Sequence, residues 1–240
     1  MSHVFITGAT GYLGCALIPI LLQRGHRITA IVRPGSESKL PPGVHVVTGN
    51  VLDADSLKAA LGDCGTWVQL VGVPHPSPLK AKLFRLVDFR AVTASLEALR
   101  GSKIRHYVYM SVARPTPTMK AYADVRAEAE ERITALSKTE KFTATFLHPF
   151  YVLGPGHRWP YVLIPLYKLL EKIPFTREGA FRLGLVTREQ MVQSLAWAVE
   201  NPPQEIREMS VVDIRASVHS PYTSTSSVRA GEHSANDAMG

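Results

Sequence analysis

Three glycines spaced by three, Gly8, Gly11 and Gly14, punctuate the segment TGATGYLG, which follows the apolar run HVFIT (3–7). Glycines at this spacing suit a strand-to-helix turn that cradles a pyrophosphate. The first permits the tight turn, the second lets backbone approach the phosphates without a Cβ in the way, and the third allows close packing of the helix. The helix start then offers unpaired amides and a partial positive charge. Thr7, Gly8, Thr10, Gly11, Tyr12 and Leu13 are therefore the expected dinucleotide contacts. About twenty residues farther on, where an acidic side chain would bond ribose hydroxyls and repel a 2′-phosphate, stands Arg33, followed by Ser36 and Lys39. This basic loop favours NADP(H) over NAD(H); a solvated basic loop is the alternative. Asn50 and Val51, in GNVLD, fall where an adenine ring would lie. Asp53 is either a further adenine contact or a turn former, and Asp55 and Ser56 are candidates to cap the next helix.

Positioning such residues requires strands and helices in alternation, and the chain supplies them. Strands are expected at 3–7, 27–33, 44–48, 66–71, 106–111 and 142–148, with helices starting near Gly11, Asp55, Leu79, Ala121, Tyr161 and Arg188. Continuous apolar strands between helices indicate an α/β fold, a doubly wound parallel sheet covered on both faces. Ligands in such folds collect at the carboxyl ends of the strands, at the topological switch point. Residues 1–215 form the expected domain. It includes a small C-terminal lobe at 151–185 and 200–215, with a new strand at MSVVDI near Met209. Residues 216–240, rich in Ser, Thr, Ala and Gly, lack the apolar content to offset the entropy of ordering and are expected to be a disordered tail.

The 45 % apolar content of 240 residues supports one sizeable core. A formal charge of +7 suits a phosphate-bearing ligand, but equally nucleic acid or an anionic surface. No nucleic-acid reading motif accompanies it. Cys15 and Cys64 are far apart and form no CxxC or Cys/His cluster, so neither a disulfide framework nor a metal site is expected, and a reducing cytoplasm is the simplest setting. Cys15, behind Gly14, is expected to be buried. No apolar stretch reaches the roughly 18 residues of a membrane span. The segment YVLIPLYKLL (161–170), apolar on almost all sides, is expected to pack on the sheet domain, with a lid, a dimer face or a membrane-surface contact as alternatives.

The TGATGYLG turn, the GNVLD segment, the strand ending QLVG (69–72), Ser111 and LHPFYVLGPG together resemble the extended and atypical short-chain dehydrogenase/reductase superfamily. The nearest likeness is to its NmrA-like, NAD(P)H-binding branch related to nucleoside-diphosphate-sugar epimerases. The resemblance covers about 2–214 and implies a Rossmann fold. It adds Leu70, Val71, Gly72, Pro149 and Tyr151 to the cofactor contacts, with Phe150, Val152 and Leu153 beside the nicotinamide. It also implies a serine at the end of the fifth strand and a YxxxK helix, in which Tyr moves a proton and Lys holds the ribose. Here Ser111 and Tyr122 occupy those positions, but Arg126 replaces the lysine. The spacing of four keeps both side chains on one helical face. Arginine, however, practically never releases its proton. Ser111, Tyr122 and Arg126 are thus the catalytic candidates. His148 stands where many relatives have arginine, as a titrating or a structural residue. His157, Arg158 and Trp159 suit a substrate pocket or an exposed tip. The resemblance implies an NADP(H)-dependent oxidoreductase or isomerase acting on a small carbonyl substrate. The alternative is a noncatalytic NADP(H)-binding redox sensor or structural subunit.

Overall fold

The computed structural model describes residues 1–114, 119–153 and 184–217. The N-terminal half follows strand β1 (His3–Thr7), helix α1 (Gly14–Gln23), β2 (Arg27–Val32), β3 (Val44–Thr48), α2 (Ala54–Leu61) and β4 (Thr66–Gln69). A broken helical stretch follows: one turn, α3 (Ala81–Leu83), a π-helical segment (Phe84–Phe89) and α4 (Arg90–Leu99). Then come β5 (His106–Met110), α5 (Lys120–Glu140), β6 (Thr143–Leu147), β7 (Tyr151–Leu153), β8 (Leu185–Thr187), α6 (Arg188–Glu200), β9 (Ile206–Met209) and α7 (Val211–Ala216).

Seven strands form one parallel sheet in the order β3-β2-β1-β4-β5-β6-β9. This is the doubly wound Rossmann architecture. Its order reverses between β1 and β4, where the Leu70 amide donates to the Thr7 carbonyl at 3.1 Å. One face buries Val4, Ile6, Val68 and Val108 against Leu17, Ile18 and Leu21 of α1 and Leu195 of α6. The other buries Phe5, Trp67, Tyr107 and Tyr109 against α2, α4 and α5. Strands buried on both sides explain the near-continuous apolar runs.

The C-terminal region differs from expectation in two ways. Residues 206–209 add the seventh strand to the main sheet, whereas 200–215 was expected in the lobe. MSVVDI is a strand only at Met209. From Val211 it is helix, because Ser210 accepts from the Asp213 amide while Asp213 accepts from the Ser210 amide, a reciprocal capping box. At the two ends of the expected 151–185 lobe, β7 (Tyr151–Leu153) and β8 (Leu185–Thr187) pair as a two-stranded parallel sheet. The helix expected near Tyr161, the apolar segment 161–170, the residues His157, Arg158 and Trp159, and the tail from 218 onward lie outside the described residues. Cys15 is exposed, contrary to expectation: α1 buries Gly14, Leu17, Ile18 and Leu21, and Cys15 falls on the opposite side.

Beneath the sheet, His106 is 3 % exposed, its Nε2 3.2 Å from the Ala198 carbonyl and its Nδ1 2.9 Å from the Thr143 hydroxyl. Burial lowers its pKa to about 4. The unfolded chain therefore takes up a proton at this residue near pH 6.5, before the folded chain does. Stability contributed by neutral His106 is complete above pH 6.5 and lost as the pH falls toward 4, by about 3 kcal/mol from this residue. Urea unfolding at pH 7 and pH 4.5 measures the difference, and His106→Gln should reduce it.

Candidate functional site

The turn from β1 into α1 is fixed by two glycines and leaves a third open. Gly8 has φ +75°, and a Cβ there would lie 2.7 Å from the Leu70 carbonyl carbon, so the turn sits directly on the end of β4. A Cβ on Gly14 would lie 2.4 Å from the Ala9 oxygen and 2.5 Å from the Gly8 oxygen. Gly14 thus closes the turn on itself, where sequence reasoning gave it to packing of helix on sheet. A Cβ on Gly11 would meet only the Gly8 oxygen, at 3.1 Å. The N-cap residue Leu13 makes no side-chain cap, and the first turn of α1 carries no acidic residue. Among the described residues the amides of Thr10 and Leu13 find no acceptor. A glycine-lined, uncapped helix start fits a dinucleotide pyrophosphate, which would accept from these amides. Tyr12 is half-buried, with the Arg188 guanidinium 5.1 Å from its ring centre. Arg188, which sequence reasoning did not single out, brings a cation beside the turn. Thr7 turns its hydroxyl inward, donating to the Gln69 side-chain oxygen and receiving the Trp67 indole N–H at 3.4 Å.

At the end of β2, Arg33 is exposed, and its guanidinium has no partner among the described residues. Ser36 and Lys39 belong to the same loop, as does Glu37, whose carboxylate accepts from the Gly35 amide and the Thr48 hydroxyl, both at 3.2 Å. The Glu37 and Gly35 amides hold that carboxyl below its ordinary range. Asp53 is the N-cap of α2, accepting from the Ser56 amide at 3.0 Å, while the Ser56 hydroxyl receives the Asn50 amide. The Asn50 side-chain oxygen accepts from the Leu52 amide, and Val51 is half-buried beside it.

Leu70, Val71 and Gly72 continue from β4 to a buried charge centre. A Cβ on Gly72 would stand 2.8 Å from the Arg126 guanidinium. Arg126 is 2 % exposed and donates to Asp88 at 2.6 Å, to the Met110 carbonyl at 2.7 Å and to the Tyr109 hydroxyl at 3.2 Å. Burial opposes its charge, yet Tyr109, Tyr122 and Asp88 together keep it firmly protonated. Asp88, from the π-helical segment, is also buried and receives the Val73 amide at 3.0 Å. Burial raises its carboxyl above the ordinary range, against the pull of Arg126. The cation four residues after Tyr122 is therefore committed to a protein carboxylate.

Tyr122 remains half-buried, its ring 5.0 Å from the Arg126 guanidinium and edge-on to Phe84 at 5.0 Å. Among the described residues its hydroxyl has no hydrogen-bond partner, whereas that of Tyr107 meets Ser95 and that of Tyr109 meets Arg126. Ser111 is buried and its hydroxyl donates a hydrogen bond to Glu130. The same carboxylate lies 2.9 Å from His148 Nε2 and 2.7 Å from Arg114. Tyr122, Arg126 and Glu130, four apart along α5, thus share one side of the helix. Of these three, Glu130 was missed from the sequence, and its spacing from Arg126 was the available signal. Pro149 is buried, its carbonyl accepting from the Ala113 amide at 2.9 Å, and Tyr151 opens β7. Phe150, Val152 and Leu153 accompany it, with Leu153 buried.

Residues 8–156 match a family described as NAD(P)H-binding. Rice divinyl chlorophyllide a 8-vinyl-reductase is 28 % identical over 208 residues, covering 74 % of this chain and 48 % of that protein. The chain therefore spans about half the length of that relative. Ceramide reductase of Caulobacter vibrioides is 26 % identical over 232 residues, covering 96 % and 69 %. Among solved structures, the UDP-glucuronic acid 4-epimerase of Bacillus cereus in complex with NAD superposes with a TM-score of 0.63 at 18 % identity, covering 88 % of this chain and 80 % of that one.

Proposed function

Because the chain belongs to the NAD(P)H-binding family, we propose that it is an NADP(H)-dependent oxidoreductase acting on a carbonyl substrate. The observation that carries this reading is Tyr122: a half-buried phenol beside a fixed cation, its hydroxyl uncommitted to any described residue. Bound NADPH would supply the hydride that reduces the carbonyl carbon. The amides of the glycine turn would hold the pyrophosphate, and Arg33 would meet the 2′-phosphate. The Tyr122 hydroxyl delivers a proton to the carbonyl oxygen, completing the alcohol. Arg126 keeps a positive charge under the Tyr122 ring but neither shuttles a proton nor reaches the ribose, being bound to Asp88. Ser111, whose hydroxyl donates its hydrogen bond to Glu130, is a positioning group. The reductase names of the rice and Caulobacter relatives support the class of reaction.

The experiment is NADPH oxidation with a panel of aldehydes, ketones and quinones. Tyr122→Phe is expected to lower turnover of an accepted substrate at least about a hundredfold while leaving NADPH affinity within twofold. Unchanged turnover would remove Tyr122 as the proton donor. A second reading is favoured by the commitment of Arg126 and Ser111 to carboxylates: a noncatalytic NADP(H) sensor or structural subunit. Tight binding without turnover of any substrate would support it.

Arg33 gives a separate expectation. Arg33→Ala should weaken NADPH about tenfold, the loss of one charge-assisted contact, and leave NADH within twofold.

A further inference from the structure

We propose that residues 77–86 dock this protein onto an anionic lipid surface, independently of whether the cofactor turns over. The segment SPLKAKLFRL leaves three large apolar side chains in solvent: Leu79 is 98 % exposed, Leu83 43 % and Leu86 64 %. Spaced by four and three, they fall on one side of a helical path, while Phe84 points inward and is fully buried. Isolated exposed leucines are ordinary; a run of three on one short segment is not. Lys80, Lys82 and Arg85 alternate with them, and the sequence holds no Asp or Glu between Asp63 and Asp88.

The neighbouring carboxylates offset only part of this charge. On α5, Asp124 is engaged by Lys120 at 2.7 Å, and Glu128 is bound by Arg85 at 2.9 Å and Arg132 at 3.3 Å. Between the segment and α5, Ala81, Leu86, Ala121 and Val125, together with Lys82, Arg85 and Asp124, line an open groove of about 560 Å³.

Cations interleaved with exposed leucines match an interface of negative headgroups over acyl chains. A second copy of the chain fits less well. A two-fold contact through this patch would bring two copies of the same net basic surface together, and like charges across an interface are costly. Among the described residues no helix is long and apolar enough to cross a membrane. The contact is therefore peripheral and should be sensitive to salt.

Co-sedimentation of the full chain with vesicles provides the test. Binding is expected to phosphatidylcholine vesicles containing phosphatidylglycerol, not to pure phosphatidylcholine, and to weaken at least tenfold in 0.5 M NaCl. Two variants of exposed side chains, Leu79→Ser with Leu86→Ser and Lys82→Gln with Arg85→Gln, should each lower binding about tenfold with unchanged melting temperature. Absence of binding to the anionic vesicles overturns the proposal, as does equal binding by folded variants. Light scattering that shows an oligomer dissolved by the leucine variant, with no vesicle binding by the parent, assigns the patch to a second copy instead.

Discussion

Replacing Asp88 by alanine is expected to lower the stability of this protein by about 3–5 kcal/mol, because it leaves a charged guanidinium buried without its carboxylate. Arg126 is 2 % exposed, and its remaining partners are a carbonyl and a phenol, neither of them anionic. Its Nε already lacks a partner among the described residues. No rearrangement of a short side chain restores what is lost, since Asp88 also receives the Val73 amide just after Gly72. For a domain of this size such a loss lowers Tm by about 10 °C. Thermal melting followed by circular dichroism reads it. The double variant Asp88→Leu with Arg126→Leu should recover much of the loss, because removing both charges also removes the cost of burying them. A double variant as unstable as Asp88→Ala alone would show that the pair contributes more than mutual neutralisation.

Gly14→Ala is expected to weaken nucleotide binding at least about a hundredfold. The added methyl would lie 2.4 and 2.5 Å from two backbone oxygens of the turn, and backbone cannot move aside as the end of a side chain can. The turn must open, carrying the amides of Thr10 and Leu13 away from where they converge. Overpacking of this kind also costs roughly 1–3 kcal/mol of stability, so the binding measurement belongs at a temperature where melting shows the variant folded. Gly11→Ala is the informative comparison. Its methyl would meet only one carbonyl oxygen, at 3.1 Å, so the fold should tolerate it better and any loss of affinity would report contact with the ligand itself.

How much of this was legible beforehand depended on whether the signal was local. Strands β1 and β3 stand at the expected residues, 3–7 and 44–48: β1 because a doubly covered parallel strand is an apolar run bounded by turn residues, and the half-exposed edge strand β3 because its three valines favour extended backbone. The start of α6 at Arg188 was legible for a related reason, Thr187 and Gln190 forming a capping box immediately ahead of an apolar pattern. The same signal at Ser210 and Asp213 was overridden by the β-branched pair Val211 and Val212, so α7 was read as part of a strand. The exposure of Cys15 was also present in the sequence, since it is out of phase with Leu17, Ile18 and Leu21.

The site divides along the same line. The glycine turn is contiguous in the chain, and its spacing alone announced it. The fate of Arg126 was not legible, because Asp88 lies 38 residues earlier in a π-helical segment that no local pattern identifies. Glu130 gathers Ser111 and Arg114 from the stretch after β5 and His148 from the end of β6, a convergence that the parallel order of β5 and β6 creates.

Whether the glycine turn and Arg33 together form an NADP(H) site is decided by calorimetric titration of the purified chain with NADPH and NADH in parallel. Saturation at one NADPH per chain is expected, with NADH at least about tenfold weaker. Failure of both nucleotides to bind, or tighter binding of NADH, would contradict it.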